Sequence, residues 1–136
     1  MLKRIFFIAA FLIISAVSGS YNSANSQSLY FCEDVDGDGY AISESSVFNI
    51  SSKGGYLKFL TRLPYNVGTT SVSYDIFLVD SEGNEKYEST IYQDVEKNWT
   101  WFWKEVTFYN AGRYNVYVYD GDKNFLTSSQ IRIQYY

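Results

Sequence analysis

The sequence predicts an all-β protein, an antiparallel β-sandwich of about seven strands. Aromatic residues make up 20% of the chain, with 14 Tyr and 10 Phe, and such side chains favour the pleated surface of a sheet. Short runs of alternating apolar and polar residues recur between turn signals, and none has the period of an amphipathic helix. The strands are expected in one domain over residues 29–136.

The first residues have the pattern of an export signal. Lys3 and Arg4 precede an almost unbroken apolar run from Ile5 to Val17, and small residues follow it. We therefore predict a signal peptide over residues 1–19 and a disordered, Ser- and Asn-rich tether over residues 20–28. The apolar run is shorter than the roughly 20 residues of a spanning helix, so no membrane anchor is expected after cleavage. The mature protein is expected to be periplasmic or secreted.

Charge and composition exclude several function classes. Without Lys3 and Arg4, 9 basic residues (11 minus 2) remain against 15 acidic ones, a net charge of −6 that argues against nucleic-acid binding. The chain contains no His, the commonest general base and metal ligand, so we do not expect an enzyme or a cofactor. The single Cys32 lies in a strand-like run and is expected to be a buried apolar side chain.

The first half of the domain predicts an opening hairpin and one further strand. Leu29 to Val35 and Tyr40 to Ile50 flank the sequence Asp-Gly-Asp-Gly, whose residues favour a tight turn. After a break at Ser51 to Gly55, the run from Tyr56 to Leu63 alternates apolar and polar side chains, as a half-buried strand does.

The second half predicts two hairpins with one strand between them. Ser71 to Asp80 alternates in phase, and a Ser-Glu-Gly-Asn turn leads into Glu85 to Gln93. Trp99 to Phe108 is the next strand. A final hairpin follows, ending in Asn124 to Gln134, where Phe125, Ile131 and Ile133 are expected to share one face.

A corner precedes the first strand of that final hairpin. Asn110 and Gly112 supply turn chemistry, and Tyr114 then alternates with Val116 and Val118 on one face. This spacing resembles the tyrosine corner of immunoglobulin-like domains, where a Tyr hydroxyl bonds the backbone just upstream. The segment over residues 108–133 resembles the closing strands of immunoglobulin-like or polycystic-kidney-disease-type domains. The resemblance implies the fold, and modules of this kind serve as spacers, adhesins or carbohydrate-binding units.

Three tryptophans alternate along one predicted strand. Trp99, Trp101 and Trp103 would lie on one face of this strand, and Phe102, Val106 and Phe108 on the other. If the second face is core, the indoles form an exposed row that suits sugar stacking or a protein partner. A bulge or a covering loop would bury them instead, and we favour this second interpretation because aromatic stripes are commonly core.

Three carboxylates in the opening turn match the start of a calcium-binding loop. Asp34, Asp36 and Asp38 occupy its first, third and fifth positions, and Gly39 its sixth, but the twelfth position is Ser45 rather than Glu. An acidic hairpin turn explains the same residues, and we favour it over a calcium site.

These observations predict an exported, non-catalytic binding or structural module. Its expected partner is a protein, recognised through an edge strand or the aromatic face. The alternative is a carbohydrate-binding module that holds a polysaccharide on Trp99, Trp101 and Trp103.

Overall fold

Residues 28–136, which the computed structural model describes, form ten β-strands. The predicted signal peptide and residues 20–27 of the predicted tether lie outside this part, and Ser28 already belongs to the first strand. Over the described residues, no helix is long and apolar enough to cross a membrane. The strands are β1 (Ser28–Cys32), β2 (Asp34–Val35), β3 (Ala41–Ile42), β4 (Val47–Ile50), β5 (Gly55–Arg62), β6 (Ser71–Val79), β7 (Glu85–Asp94), β8 (Trp101–Phe108), β9 (Gly112–Asp120) and β10 (Phe125–Tyr135).

Eight of these strands build two sheets that face each other. One sheet has the order β1-β5-β8, the other β4-β10-β9-β6-β7, and β2 pairs with β3 in a separate small hairpin. The all-β sandwich is confirmed, and so are the hairpins β6–β7 and β9–β10. One pair departs from the antiparallel prediction, because β4 runs parallel to β10, with Val47 opposite Arg132.

The predicted opening hairpin over residues 29–50 is wrong except at its tip. β1 pairs with β5 rather than with the segment that follows the turn, and β4 joins the other sheet. Only Asp34–Val35 and Ala41–Ile42 pair across the turn. The chain thus uses the turn to cross from one sheet to the other, which lets both sheets gain an edge strand.

The core lies between the two sheets and is rich in aromatic rings. Phe59 is fully buried and its ring contacts three others, those of Phe31, Tyr74 and Phe108, at centroid distances of 5.2, 5.7 and 6.2 Å. Alternate residues of β6, β8 and β9 point into this layer, as the sequence predicts. They are Val72, Tyr74 and Ile76; Phe102, Val106 and Phe108; and Tyr114, Val116 and Val118.

The tyrosine corner closes one end of the core. The Tyr114 hydroxyl donates a hydrogen bond to the Asn110 carbonyl oxygen at 2.9 Å, and the Tyr114 ring packs on Phe108 with centroids 5.0 Å apart. Gly112 suits this position because its φ is 153°, which other residues rarely adopt, and a Cβ there would also lie 2.9 Å from Leu78 Cδ1. The corner therefore joins the strand start, the core and the upstream backbone in one unit.

A bulge overturns the expected facing of Phe125. The register of β10 shifts between Phe125 and Thr127, so Phe125 is 54% exposed while Leu126 is buried. Ile131 and Ile133 keep the predicted inward facing. The extra residue of a bulge reverses the alternation on one side of it, and the apolar pattern of the sequence does not mark where that happens.

Candidate functional site

The strand order, β1-β5-β8 facing β4-β10-β9-β6-β7, is that of an immunoglobulin-like β-sandwich, and one side of the sandwich is left without a covering strand. β7 and β8 are the last strands of their sheets on that side, and no described strand pairs with the outer edge of either. A groove runs between these two edges and is lined by both. We call it the edge groove, and it contains two cavities.

The wider end of the edge groove is a cavity of about 560 Å³ beside the tryptophans. Its wall is the chain from Asn98 to Trp103 on one side and Gln93 of β7 on the other. Trp99 and Trp103 are each 40% exposed, so large apolar surface meets amide and hydroxyl groups here. Such a mixture of flat apolar area and a few polar groups is typical of binding sites.

The Gln93 side chain ties the two sheets together across the groove. Its Nε2 donates to the Trp103 carbonyl oxygen at 2.8 Å, and its Oε1 accepts the Tyr74 hydroxyl hydrogen at 2.6 Å. Burial raises the pKa of Tyr74 far above its usual range, so its hydroxyl stays a neutral donor. The amide thereby satisfies a buried hydroxyl and holds β8 against β7.

A second cavity of about 240 Å³ continues the groove toward the tyrosine corner. Ile91 of β7, Val106 of β8 and Tyr114 contribute apolar walls, and Glu88 contributes a carboxylate. Both cavities lie between the same two strands, so the edge groove follows β8 along most of its length.

The outer edge of β8 offers backbone groups to this groove. The Trp103 carbonyl accepts from Gln93, so it points away from β5. Because backbone groups alternate along a strand, those of Trp101, Glu105 and Thr107 point the same way. The Lys104 side chain points to the same side of β8 as the buried Phe102 and Val106, and it is half-buried. An inward-facing charge on an edge strand disfavours unselective pairing with other strands.

The predicted tryptophan row is only partly formed. Phe102, Val106 and Phe108 are buried, so β8 has the phase that places Trp101 and Trp103 on the outer face of the sheet. Trp99 precedes the strand and belongs to the loop, where its carbonyl accepts from Val67 N at 2.8 Å. No bulge reverses the phase of β8, yet a loop does cover part of the row.

The covering element is the β2–β3 hairpin, which folds over the outer face of the three-stranded sheet. Gly39 packs so closely on Trp101 that a Cβ there would lie 2.4 Å from Trp101 Cδ2, and Arg62 donates to the Gly39 carbonyl oxygen. Lys58 Nζ lies 4.3 Å from the centre of the Trp103 ring. The three indoles therefore have three different environments and form no continuous flat platform.

The acidic residues of the β2–β3 hairpin stabilise its turn and hold it against β5. Asp36 Oδ1 accepts from Asp38 N at 2.9 Å and from Tyr40 N at 3.0 Å, while Asp34 Oδ1 pairs with Lys58 Nζ at 2.8 Å. The Lys58 hydrogen bond holds the pKa of Asp34 below its usual range. Within residues 28–136, no three His, Cys, Asp or Glu side chains converge on a point where they could hold a metal ion. The geometry supports an acidic hairpin turn.

Cys32 is buried on this same outer face, as the sequence predicts for a small apolar side chain. Burial raises the pKa of its thiol. Leu60 is also fully buried there, although its parity points it away from the main core. The hairpin thus gives the three-stranded sheet a second, smaller apolar layer.

An aromatic cluster on the outer face of the five-stranded sheet was missed from the sequence. The Phe77 ring meets Tyr87 and Tyr117 edge-on, with centroids 5.7 and 5.5 Å away. Asp75 is the cross-strand partner of Tyr117, and Glu85 accepts from the Tyr117 hydroxyl; we call the five residues the anionic aromatic patch. A signal was present, since Tyr117 alternates with the core residues Val116 and Val118 and must therefore face outward.

Comparisons with known proteins bear on the fold alone. No protein-family model and no curated protein sequence matches the chain. Among solved structures it is similar to an immunoglobulin-like protein of Pseudomonas aeruginosa, with a TM-score of 0.49 and 12% identity over 79% of this chain and 92% of that one. It is also similar to the alkylpurine DNA glycosylase AlkC of Pseudomonas fluorescens, with a TM-score of 0.35 and 15% identity over 65% of this chain and 27% of the glycosylase. The strand order, rather than these likenesses, carries the fold assignment.

Proposed function

We propose that this chain is an exported, non-catalytic binding module that captures an extended segment of a protein partner in the edge groove. The observation that carries the proposal is the unpaired outer edge of β8, flanked by the tryptophan cavity. An extended peptide that pairs with such an edge gains main-chain hydrogen bonds, and cavities beside the edge select its side chains.

The groove gives this peptide a defined geometry. Backbone groups of Trp101, Glu105 and Thr107 and the Trp103 N–H are directed at the incoming strand, while the Trp103 carbonyl already accepts from Gln93. The large cavity beside Trp103 suits an aromatic or long apolar side chain, and the small cavity beside Val106 suits a smaller one. Lys104 between them disfavours a purely apolar strand, which supports selective capture rather than aggregation.

Proline substitution on β8 tests the strand-pairing step. Glu105→Pro removes an N–H that faces the groove and leaves the pairing with β5 in place, whereas Glu105→Ala removes the same side chain and keeps the N–H. The probe is a random 12-residue peptide library selected on the mature protein. We expect selected peptides to bind wild type and Glu105→Ala equally and to lose at least about tenfold in affinity on Glu105→Pro, since several main-chain hydrogen bonds depend on this register.

The proposal fails if selected peptides bind Glu105→Pro as well as wild type while both proteins show the same thermal melt. It also fails if the library yields no peptide that protects β8 amides from hydrogen exchange. Either result would leave the edge of β8 without a binding role.

A glycan is the second candidate ligand, because Trp99 and Trp103 are 40% exposed and adjoin the amides of Asn98 and Gln93. Indole faces with neighbouring amides suit sugar rings. Acrylamide quenching of tryptophan fluorescence with a panel of soluble polysaccharides measures this directly, as every Trp of the chain lies within residues 99–103. Protection by one polysaccharide, lost in Trp103→Ala, would favour the glycan; unchanged quenching with all of them would leave the peptide.

A further inference from the structure

The anionic aromatic patch lies on the opposite sheet from the edge-groove tryptophans and has a different chemistry. Phe77 sits between two edge-on tyrosine rings, and Tyr87 is 56% exposed, so the cluster presents aromatic surface to solvent. Asp75 and Glu85 lie at its margin on β6 and β7. The patch thus combines ring faces, which carry negative electrostatic potential, with carboxylates.

Both carboxylates are fixed in place by neutral donors. Glu85 Oε2 accepts from the Tyr117 hydroxyl and from Asn115 Nδ2, the latter at 2.7 Å. Asp75 Oδ1 accepts from the Thr90 hydroxyl at 2.7 Å. The bond from Tyr117 holds the pKa of Glu85 below its usual range, so Glu85 is ionised at neutral pH.

No Lys or Arg of residues 28–136 forms an ion pair with the carboxylates of this patch. The ion pair present in residues 28–136 joins Lys58 of the three-stranded sheet to Asp34 of the β2–β3 hairpin. The Arg of β9, Arg113, faces outward but donates to the Asp80 carbonyl oxygen at 3.0 Å. Two fixed carboxylates therefore stand beside partly exposed rings, and within residues 28–136 no positive group lies at ion-pair distance from either.

Two partly exposed rings elsewhere in the described residues are paired with cations of this chain. Lys58 covers Trp103 and Arg62 covers Tyr40, each at 4.3 Å from the ring centre. Among the described residues, no cation lies in this way over Phe77, Tyr87 or Tyr117. The rings of the patch are therefore open to a positive group from another molecule.

We propose that the anionic aromatic patch is a docking surface for a basic segment of a protein partner, whose Arg or Lys side chain stacks on the rings and pairs with Glu85 and Asp75. Cation–aromatic contacts and charge-assisted hydrogen bonds both favour this occupant. The net charge of −6 outside the predicted signal peptide (9 basic against 15 acidic residues) adds long-range attraction for it. A second copy of this chain carries the same negative charge and is disfavoured.

A hexa-arginine peptide titrated into the mature protein tests the proposal by calorimetry and by amide chemical shifts. Glu85→Gln removes one charge from the patch while keeping an oxygen for Tyr117 and Asn115. Glu82→Gln removes one charge from the turn before β7 and is the matched control for net charge. We expect Glu85→Gln to weaken binding about two- to fivefold, as exposed ion pairs and cation–aromatic contacts of this kind do, and Glu82→Gln to weaken it less.

Phe77→Leu separates the rings from the charges. This substitution keeps both carboxylates, so a site that binds through charge alone would keep its affinity for the peptide. The proposed site should lose about twofold or more in affinity. Equal weakening by Glu85→Gln and Glu82→Gln would overturn the proposal. So would shift changes that spare β6, β7 and β9 in the wild-type protein.

Discussion

Gln93 holds the edge groove in shape through two hydrogen bonds from one amide. Gln93→Leu leaves the buried Tyr74 hydroxyl without its acceptor and frees the Trp103 carbonyl, so we expect a loss of about 1–3 kcal/mol in the free energy of unfolding. Urea denaturation measures it. In the double variant with Tyr74→Phe the orphaned hydroxyl is gone, and part of the loss should return. Strictly additive effects of the two substitutions would contradict this coupling.

Lys123 has a positive φ at a turn position where two equivalent turns of this protein have glycine. The turns that begin at Asp36, Asp80 and Asp120 share the same hydrogen bonds, and their fourth residues have positive φ: Gly39 at 86°, Gly83 at 88° and Lys123 at 71°. Lys123→Gly should stabilise the protein by about 0.5–1 kcal/mol, because relief of left-handed strain exceeds the entropy cost of glycine. Thermal denaturation tests it, with Asp122→Gly, at ordinary φ, as a control that should destabilise. Equal effects of the two variants would refute the strain argument.

At the level of elements, the β2–β3 hairpin decides how much of Trp101 meets solvent. Gly39→Ala adds strain at positive φ and a clash with the Trp101 ring, so we expect the hairpin to lift and acrylamide quenching of tryptophan to increase. Gly83→Ala is the matched control, because its φ is nearly the same and nothing lies within 4 Å of its Cβ. Quenching that rises equally in both variants would show that the hairpin does not cover Trp101.

The elements that the sequence predicts well are those whose partners follow at once in the chain. The β6–β7 and β9–β10 hairpins are specified by their own turns and by strict alternation, as at Tyr114, Val116 and Val118. The segment over residues 29–50 failed because its partners are distant: β1 pairs with β5, and β4 with the end of β10. Pattern shows that such a run is a strand, but not which edge it joins.

The same limit applies to the candidate sites at the scale of the whole molecule. The inward facing of Phe102 and the exposure of Trp103 follow from alternation along β8. The burial of Trp101 does not follow from alternation, because the separate β2–β3 hairpin covers its ring. The edge groove likewise depends on which two strands end their sheets, and this is a property of strand order alone.

The charged groups of the molecule make its stability sensitive to acid. Hydrogen bonds from Lys58, from the Asn84 backbone and from Tyr117 lower the pKa values of Asp34, Asp80 and Glu85 respectively. A lowered folded-state pKa adds stability above the unfolded pKa, near 4, and that stability is lost as pH falls through the folded value. The chain has no His, so we expect a flat free energy of unfolding from about pH 5 to 8 and a decline below about 4. A step inside the flat range, in urea titrations at several pH values, would contradict this.

The buried tyrosines make stability sensitive to base. Burial raises the pKa of Tyr74 and of Tyr114, so the folded state keeps protons that the unfolded chain releases near pH 10. Stability is therefore complete below about pH 10 and falls as pH rises further, by up to about 1.4 kcal/mol per pH unit for each such group. Tyr74→Phe removes one titrating group from the core, and its stability should decline less steeply above pH 10 than that of wild type. Tyr56→Phe, which changes an exposed ring, is the control, and equal slopes for Tyr74→Phe and wild type would show that Tyr74 does not resist ionisation in the core.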